Sequence, residues 1–137
     1  MVSDLRFAVV DPIVAADQVC PRPLSSATEA VALLNAARTR SPSFLEFRGF
    51  GHTLLLGVSA ACGCAQYSPL SGEAPYLMAV CNTGVPEYAN TSVEYSMNGC
   101  PTEIPPPFNI PIELVAEIAK HFVQFGEKWP QVEWKDV

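Results

Sequence analysis

Between positions 44 and 97 the chain alternates short β-forming runs with turn signals, and this rhythm constrains the fold more than any other feature. Phe44-Leu-Glu-Phe47 is one run, and Gly49-Phe-Gly51 turns the chain. Residues 53–58 are apolar enough for a central strand buried on both faces, and the reading carries that strand on through residues 64–67. Ser68-Pro-Leu-Ser-Gly72 is turn chemistry. Residues 76–81 are a further strand, 82–92 a polar loop, and 93–97 alternate ahead of the turn signal Asn98-Gly99. Residues 5–10 add an alternating strand at the other end of the chain. Residues 100–107 carry Pro101, Pro105, Pro106 and Pro107 and are expected to be extended and irregular. Strands that follow one another through short turns pair antiparallel.

Two helices frame this run. Ser26-Ala-Thr-Glu29 fits a capping box, hydroxyl and carboxylate each closing an orphan amide. The helix should reach about residue 40, with Ala30, Val31, Leu34 and Ala37 as its buried stripe. Arg38 and Arg40 suit the negative end of its dipole, and Ser41-Pro42 breaks it. Near the end of the chain, Leu114, Ile118, Phe122 and Phe125 recur at helical spacing. Pro111 precedes that helix and Gly126 supplies a left-handed stop. Trp129-Pro130 then turns into a short strand, Val132-Glu133-Trp134. Trp134 is expected in the core, its indole N–H needing a partner. The expected fold is α+β: one domain over residues 1–137, a single antiparallel sheet of about five or six strands, and both amphipathic helices on one face. The other face is left to solvent or to a partner.

Bulk properties exclude several classes. Hydrophobic residues make up 49% and charged residues 16%, the balance of a globular chain. No apolar run reaches the ~18 residues of a membrane span. Residues 1–6 do not read as a signal peptide, so the cytoplasm is the expected compartment. The five cysteines (Cys20, Cys62, Cys64, Cys81, Cys100) are an odd number without a compact disulfide spacing, and are read as reduced, small apolar residues. Charge is lopsided. Acids outnumber bases 14 to 8, and from Gly49 through Ala119 the chain has six acids and no Lys or Arg. A surface built from that stretch repels phosphates and attracts basic proteins.

Catalytic chemistry finds little support. His52 lies in a turn signal, and His121 follows Glu117 by one helical turn, an ordinary surface pair. Neither belongs to a matched constellation. Cys62-Gly63-Cys64 is the best candidate for a metal or redox site, since two thiols at this spacing share one face of a strand. Cys81 or Cys100 could join them. Structural zinc favours paired C-x₂-C knuckles, which are missing. The plainer reading is a small-residue patch, residues 60–65, that lets a helix approach the sheet closely. No phosphate-binding glycine motif and no basic, aromatic-laced patch is present. The expectation is no catalytic residue, no metal and no cofactor. The alternative is a small metal-binding or enzymatic protein working through Cys62 and Cys64.

The order of features in the last third carries a resemblance. An apolar helix opens after Ile110-Pro111, bears Phe122 and Phe125, and is followed by Gly126, Pro130 and Val132-x-Trp134. Over roughly residues 93–137 this resembles the Imm1 family of immunity proteins from bacterial polymorphic-toxin systems. Upstream, residues 54–58 followed by Tyr67-Ser68 look like that family's central hairpin. The resemblance implies a protein that binds a cognate toxin and catalyses nothing. It further implies a toxin of the deaminase fold, whose nucleic-acid substrate calls for a basic cleft that an acidic inhibitor surface can occupy. The candidate contacts are Glu73, Tyr76, Glu87, Tyr88, Glu94 and Glu103: carboxylates for a basic partner, tyrosines for contact area at low entropic cost. Nucleic acid and membrane are not expected as partners.

Overall fold

The protein is described from a computed structural model that covers residues 6–10, 22–23, 26–39, 43–60, 62–80, 93–97 and 100–137. Chain order is β1 (Arg6–Val10), β2 (Arg22–Pro23), α1 (Ala27–Arg38), β3 (Ser43–Gly49), β4 (His52–Val58), β5 (Cys62–Pro69), β6 (Leu77–Val80), β7 (Val93–Met97) and β8 (Cys100–Ile104). A 3-10 turn (Pro106–Phe108), β9 (Ile110–Pro111), α2 (Ile112–Phe125) and β10 (Glu133–Asp136) complete it. The sheet runs β10-β6-β5-β4-β3-β1-β2, and these neighbours pair antiparallel. Setting aside the two-residue β2, that path holds the expected five or six strands, with the two helices on one face: an α+β fold.

Local chemistry explains the turns. β3 and β4 are joined by Phe50-Gly51, with φ of 56° and 74°. Two successive positive φ values make a primed hairpin turn, whose twist matches that of the strands. Glycine adopts this freely. Phe50 does so against its preference, and its ring sits edge-on to Phe122 at 6.0 Å. β4 does not run on through residues 64–67. Ser59 reverses the chain, its N–H and its hydroxyl both donating to the Cys62 carbonyl, at 3.0 and 2.7 Å. β5 then returns beside β4, from Val58 opposite Gly63 to His52 opposite Pro69. The apolar run across positions 54–65 concealed a turn made by one serine.

One face of the sheet carries the main core. Leu45, Phe47, Leu54, Leu56, Val58, Ala65 and Tyr67 meet Ala30, Leu34 and Ala37 of α1 and the apolar side of α2. The Ser26 hydroxyl accepts from the Glu29 N–H at 3.2 Å, as the capping pattern requires. Arg38 closes the other end of α1 on the β4–β5 turn, donating twice to the Ala60 carbonyl at 2.7 and 3.2 Å. Arg40 lies outside the described residues. Gly63 lets α2 come close, since a Cβ there would stand 2.9 Å from a Val115 methyl and 2.3 Å from the Gly57 carbonyl oxygen. That is the role expected of the small-residue patch.

The buried stripe of α2 is rotated from the expected one. Ile112, Val115, Ile118, Ala119, Phe122 and Val123 are buried, Leu114 is half-buried and Phe125 is 60% exposed. Gly126, at φ 70°, donates its N–H to the Phe122 carbonyl at 2.8 Å and ends the helix. Periodicity alone left several faces nearly equivalent, and the fit of Val115 over Gly63 selected one. Trp134 is half-buried on this face, and its indole N–H finds the Trp129 carbonyl at 2.9 Å.

The second face is covered over part of its length. Residues 100–104 are not irregular but pair along the whole of β7, from Val93 opposite Ile104 to Met97 opposite Cys100. Among the described residues β8 pairs only with β7, and an edge strand tolerates Pro101. This hairpin lays Tyr95 and Ile104 over Phe44, Cys64 and Met78, with the Phe44 and Tyr95 rings 5.4 Å apart. Asn109 fastens it from below. Its amide donates to the Ile104 and Pro105 carbonyls at 3.2 and 3.4 Å, and its carbonyl accepts from the Tyr95 hydroxyl at 3.2 Å.

Candidate functional site

Register arranges the second face in cross-strand rows. Phe44, Gly57 and Cys64 form the row beneath the hairpin. The next two rows, Glu46-Leu55-Gln66 and Arg48-Thr53-Ser68, line a recess of about 830 Å³. Phe50-Gly51, residues 69, 70 and 72, and Tyr76 form its rim. β4 is therefore not buried on both faces throughout, since Thr53 and Leu55 are only half-buried.

The electrostatics of this recess are internally balanced. Arg48 donates through Nε and Nη2 to Oε1 of Glu46, at 3.1 and 2.7 Å. These are the charged residues among its described lining. The side chains of Thr53, Gln66 and Ser68 make no hydrogen bond to any described residue, although Ser68 is 8% exposed. At the rim, Leu70 is 52% exposed. The Tyr76 hydroxyl donates to the Gly72 carbonyl, and the Glu73 N–H donates to the Ser71 hydroxyl at 3.3 Å. Those two bonds shape the connection between β5 and β6.

The candidate residues fall into two groups. Tyr76 lines the recess and the exposed Glu73 stands on the same connection. Glu94 and Glu103 are exposed and sit directly opposite one another on the β7–β8 hairpin. Glu87 and Tyr88 lie outside the described residues. The recess residues Glu46, Arg48, Thr53, Gln66 and Ser68 were missed. Their signal was polar residues at a spacing of two inside apolar runs, which the reading of β4 as doubly buried discarded.

Cys62, Cys64 and the two histidines serve packing, while Cys20 and Cys81 lie outside the described residues. Cys62 and Cys64 are both buried free thiols. Burial pushes the Cys64 thiol up to about 12, so it stays protonated at neutral pH and is a poor nucleophile. The Cys62 sulfur lies 3.4 Å from the Ser59 hydroxyl and 3.9 Å from the Tyr95 hydroxyl. Among the described residues no three His, Cys, Asp or Glu side chains converge as metal ligands. His52 stacks on Tyr67 with ring centroids 4.5 Å apart and donates from Nδ1 to the Phe50 carbonyl at 3.1 Å. His121 is not the partner of Glu117, which pairs with Lys120 at 2.6 Å. Its Nε2 lies 3.8 Å from Glu127, and its ring packs on Phe125 at 4.7 Å. Burial, then the nearby Glu127, raise the Tyr67 hydroxyl, which donates to the Gly126 carbonyl at 3.3 Å.

No described helix is long and apolar enough to cross a membrane. The family model described as immunity protein Imm1 matches residues 18–136. No curated protein is similar enough to the chain to count as a match.

Proposed function

Since this chain belongs to the Imm1 family of immunity proteins, whose work is to counter a bacterial toxin, we propose that it acts in the cytoplasm by binding a nucleic-acid deaminase toxin and covering its basic substrate cleft with acidic side chains. The observation that carries this reading is the pair Glu94 and Glu103, exposed and register-opposed across one hairpin. Like charges placed directly opposite destabilise a hairpin. Neither carboxylate has an ion-pair partner among the described residues. The repulsion is thus not relieved within the described chain, and a cationic partner relieves it.

Charge distribution supports the same reading, because the base-free stretch from Gly49 through Ala119 includes both carboxylates and also Glu73 and Glu87. Such a surface accelerates encounter with a basic protein and excludes its polyanionic substrate without any reaction. Tyr76, on the same connection as the exposed Glu73, adds contact area on this reading, as does Tyr88, the sequence neighbour of Glu87. Inhibition by occupation is stoichiometric. The protein therefore needs no activated nucleophile, consistent with the protonated state of the Cys64 thiol.

Co-expression with the toxin domain encoded directly upstream tests the proposal. Growth should be restored, the two proteins should copurify, and deaminase activity on single-stranded DNA or RNA should fall to zero at one equivalent. Protection without complex formation, or full inhibition at a small fraction of an equivalent, would refute occupation as the mechanism.

A further inference from the structure

We infer that the recess on the part of the sheet's second face that no described residue covers seats an uncharged, projecting loop of the toxin, and that this contact decides which toxin is held. The inference rests on the toxin-binding reading above and adds to it a second surface with different chemistry. The acidic pair on the hairpin draws any basic partner. The recess recognises one.

Three observations converge on this occupant. Ser68 is buried and its hydroxyl has no described hydrogen-bond partner, and the half-buried Thr53 and Gln66 beside it also lack one. Buried polar groups are normally bonded, and three donor–acceptor groups on one floor match the backbone and side-chain amides of a peptide loop. Next, Glu46 and Arg48 already satisfy one another through two hydrogen bonds. The pair is neutral as a whole, so a charged occupant must compete with it for a counter-ion, whereas a neutral one leaves it intact. Finally, the rim leaves room for a visiting chain, since a Cβ at Gly51 or at Gly72 would meet nothing within 4 Å. Leu55 on the floor and the exposed Leu70 at the rim give the loop an apolar anchor.

Such a recess discriminates strongly. A cognate loop satisfies the Ser68 hydroxyl and its half-buried neighbours, and a non-cognate one leaves them unpaired as it shuts out water. Rim charges act mainly on association, buried contacts mainly on dissociation, so the two surfaces separate kinetically.

The test uses the full chain and the toxin domain encoded directly upstream. Thr53→Trp sets a large ring on the floor of the recess, and Gln66→Glu places an added charge in it without added bulk. Dissociation should quicken by about a hundredfold and about tenfold respectively, with association at low salt within about twofold of the unaltered chain. As a readout that does not depend on these variants folding, Leu70→Cys is labelled with a maleimide, the unaltered chain serving as background. It should react in the free protein and be shielded in the complex. Unchanged dissociation for both variants, or equal labelling in both states, would overturn the inference and leave toxin binding intact. Shielding of Leu70→Cys already in the free protein would overturn it too, since the chain would then fill its own recess. If the unaltered protein captures no toxin, the function reading and this inference fall together.

Discussion

Glu94 and Glu103 offer a test in which stability and function should move in opposite directions. Direct cross-strand neighbours have Cβ atoms about 4.5–5.5 Å apart, and an opposite-charge pair is worth about 0.2–1 kcal/mol over an alanine pair, with a like-charge pair unfavourable. Glu94→Lys replaces repulsion by attraction at one register position. After allowance for solvent screening of two exposed groups, it should stabilise the protein by about 1 kcal/mol. For a chain of this size that raises Tm by roughly 3–5 °C. Glu103→Lys should do the same. The double variant restores a like-charge pair, now cationic, and should lose most of either gain. Thermal unfolding at about 10 mM and about 1 M salt reads all four chains, and the differences should shrink at high salt, where the Debye length is about 3 Å. The same single variants should associate more slowly with a basic toxin. Two equal, additive gains in the double variant, or gains unaffected by salt, would refute the reasoning, because the carboxylates would then not be interacting across the hairpin.

Further outcomes follow from the core. Phe122→Ala should lose about 3–5 kcal/mol in urea unfolding, whereas Phe125→Ala should stay within about 0.5 kcal/mol, despite the equal rank of the two rings in a helical stripe. Gly126→Ala should cost at least about 1–2 kcal/mol, since it demands a left-handed conformation of an L-residue and sets a Cβ 2.3 Å from the Phe50 ring. Tyr95→Phe removes the hydroxyl that donates to Asn109 and should cost about 1–2 kcal/mol, with the earliest amide exchange in β7 and β8. The Cys64 thiol has a folded-state pKa of about 12 against an ordinary 9.0. The unfolded chain therefore releases that proton first as pH rises. The stability linked to the group is complete below pH 9.0 and declines as pH climbs toward about 12. Tyr67, also raised, adds to the loss in the same direction. Urea midpoints between pH 8 and 11 should fall less steeply for Cys64→Ala, and a slope equal to that of the unaltered chain would contradict this assignment.

Legibility in the sequence differed element by element. α1 was readable because Ser26 and Glu29 act within one turn, and the helix stop at Gly126 because a left-handed residue is a local matter. The β4–β5 turn was not, since Ser59 bonds a carbonyl from within an apolar run that carries no Gly-Pro signal. β8 was hidden by its prolines, which mark irregular chain in a central strand but are permitted on an edge. Of the candidate contacts, the acids were visible as a charge imbalance. The recess was not, because Glu46, Thr53, Gln66 and Ser68 come together only once three strands are in register.

From its sequence alone this chain determined the α+β class, the places of its two helices and of most of its longer strands, the acidic bias of its middle and the family it resembles. All of these arise from periodicity, capping and charge within a few residues of one another. Tertiary structure alone decided which side of α2 is buried, that the hairpin covers part of the second face, that Glu94 faces Glu103, and that the described residues leave a polar recess beside them. Those outcomes depend on contacts between segments far apart in the chain, where shape and register choose among patterns that local sequence leaves equivalent.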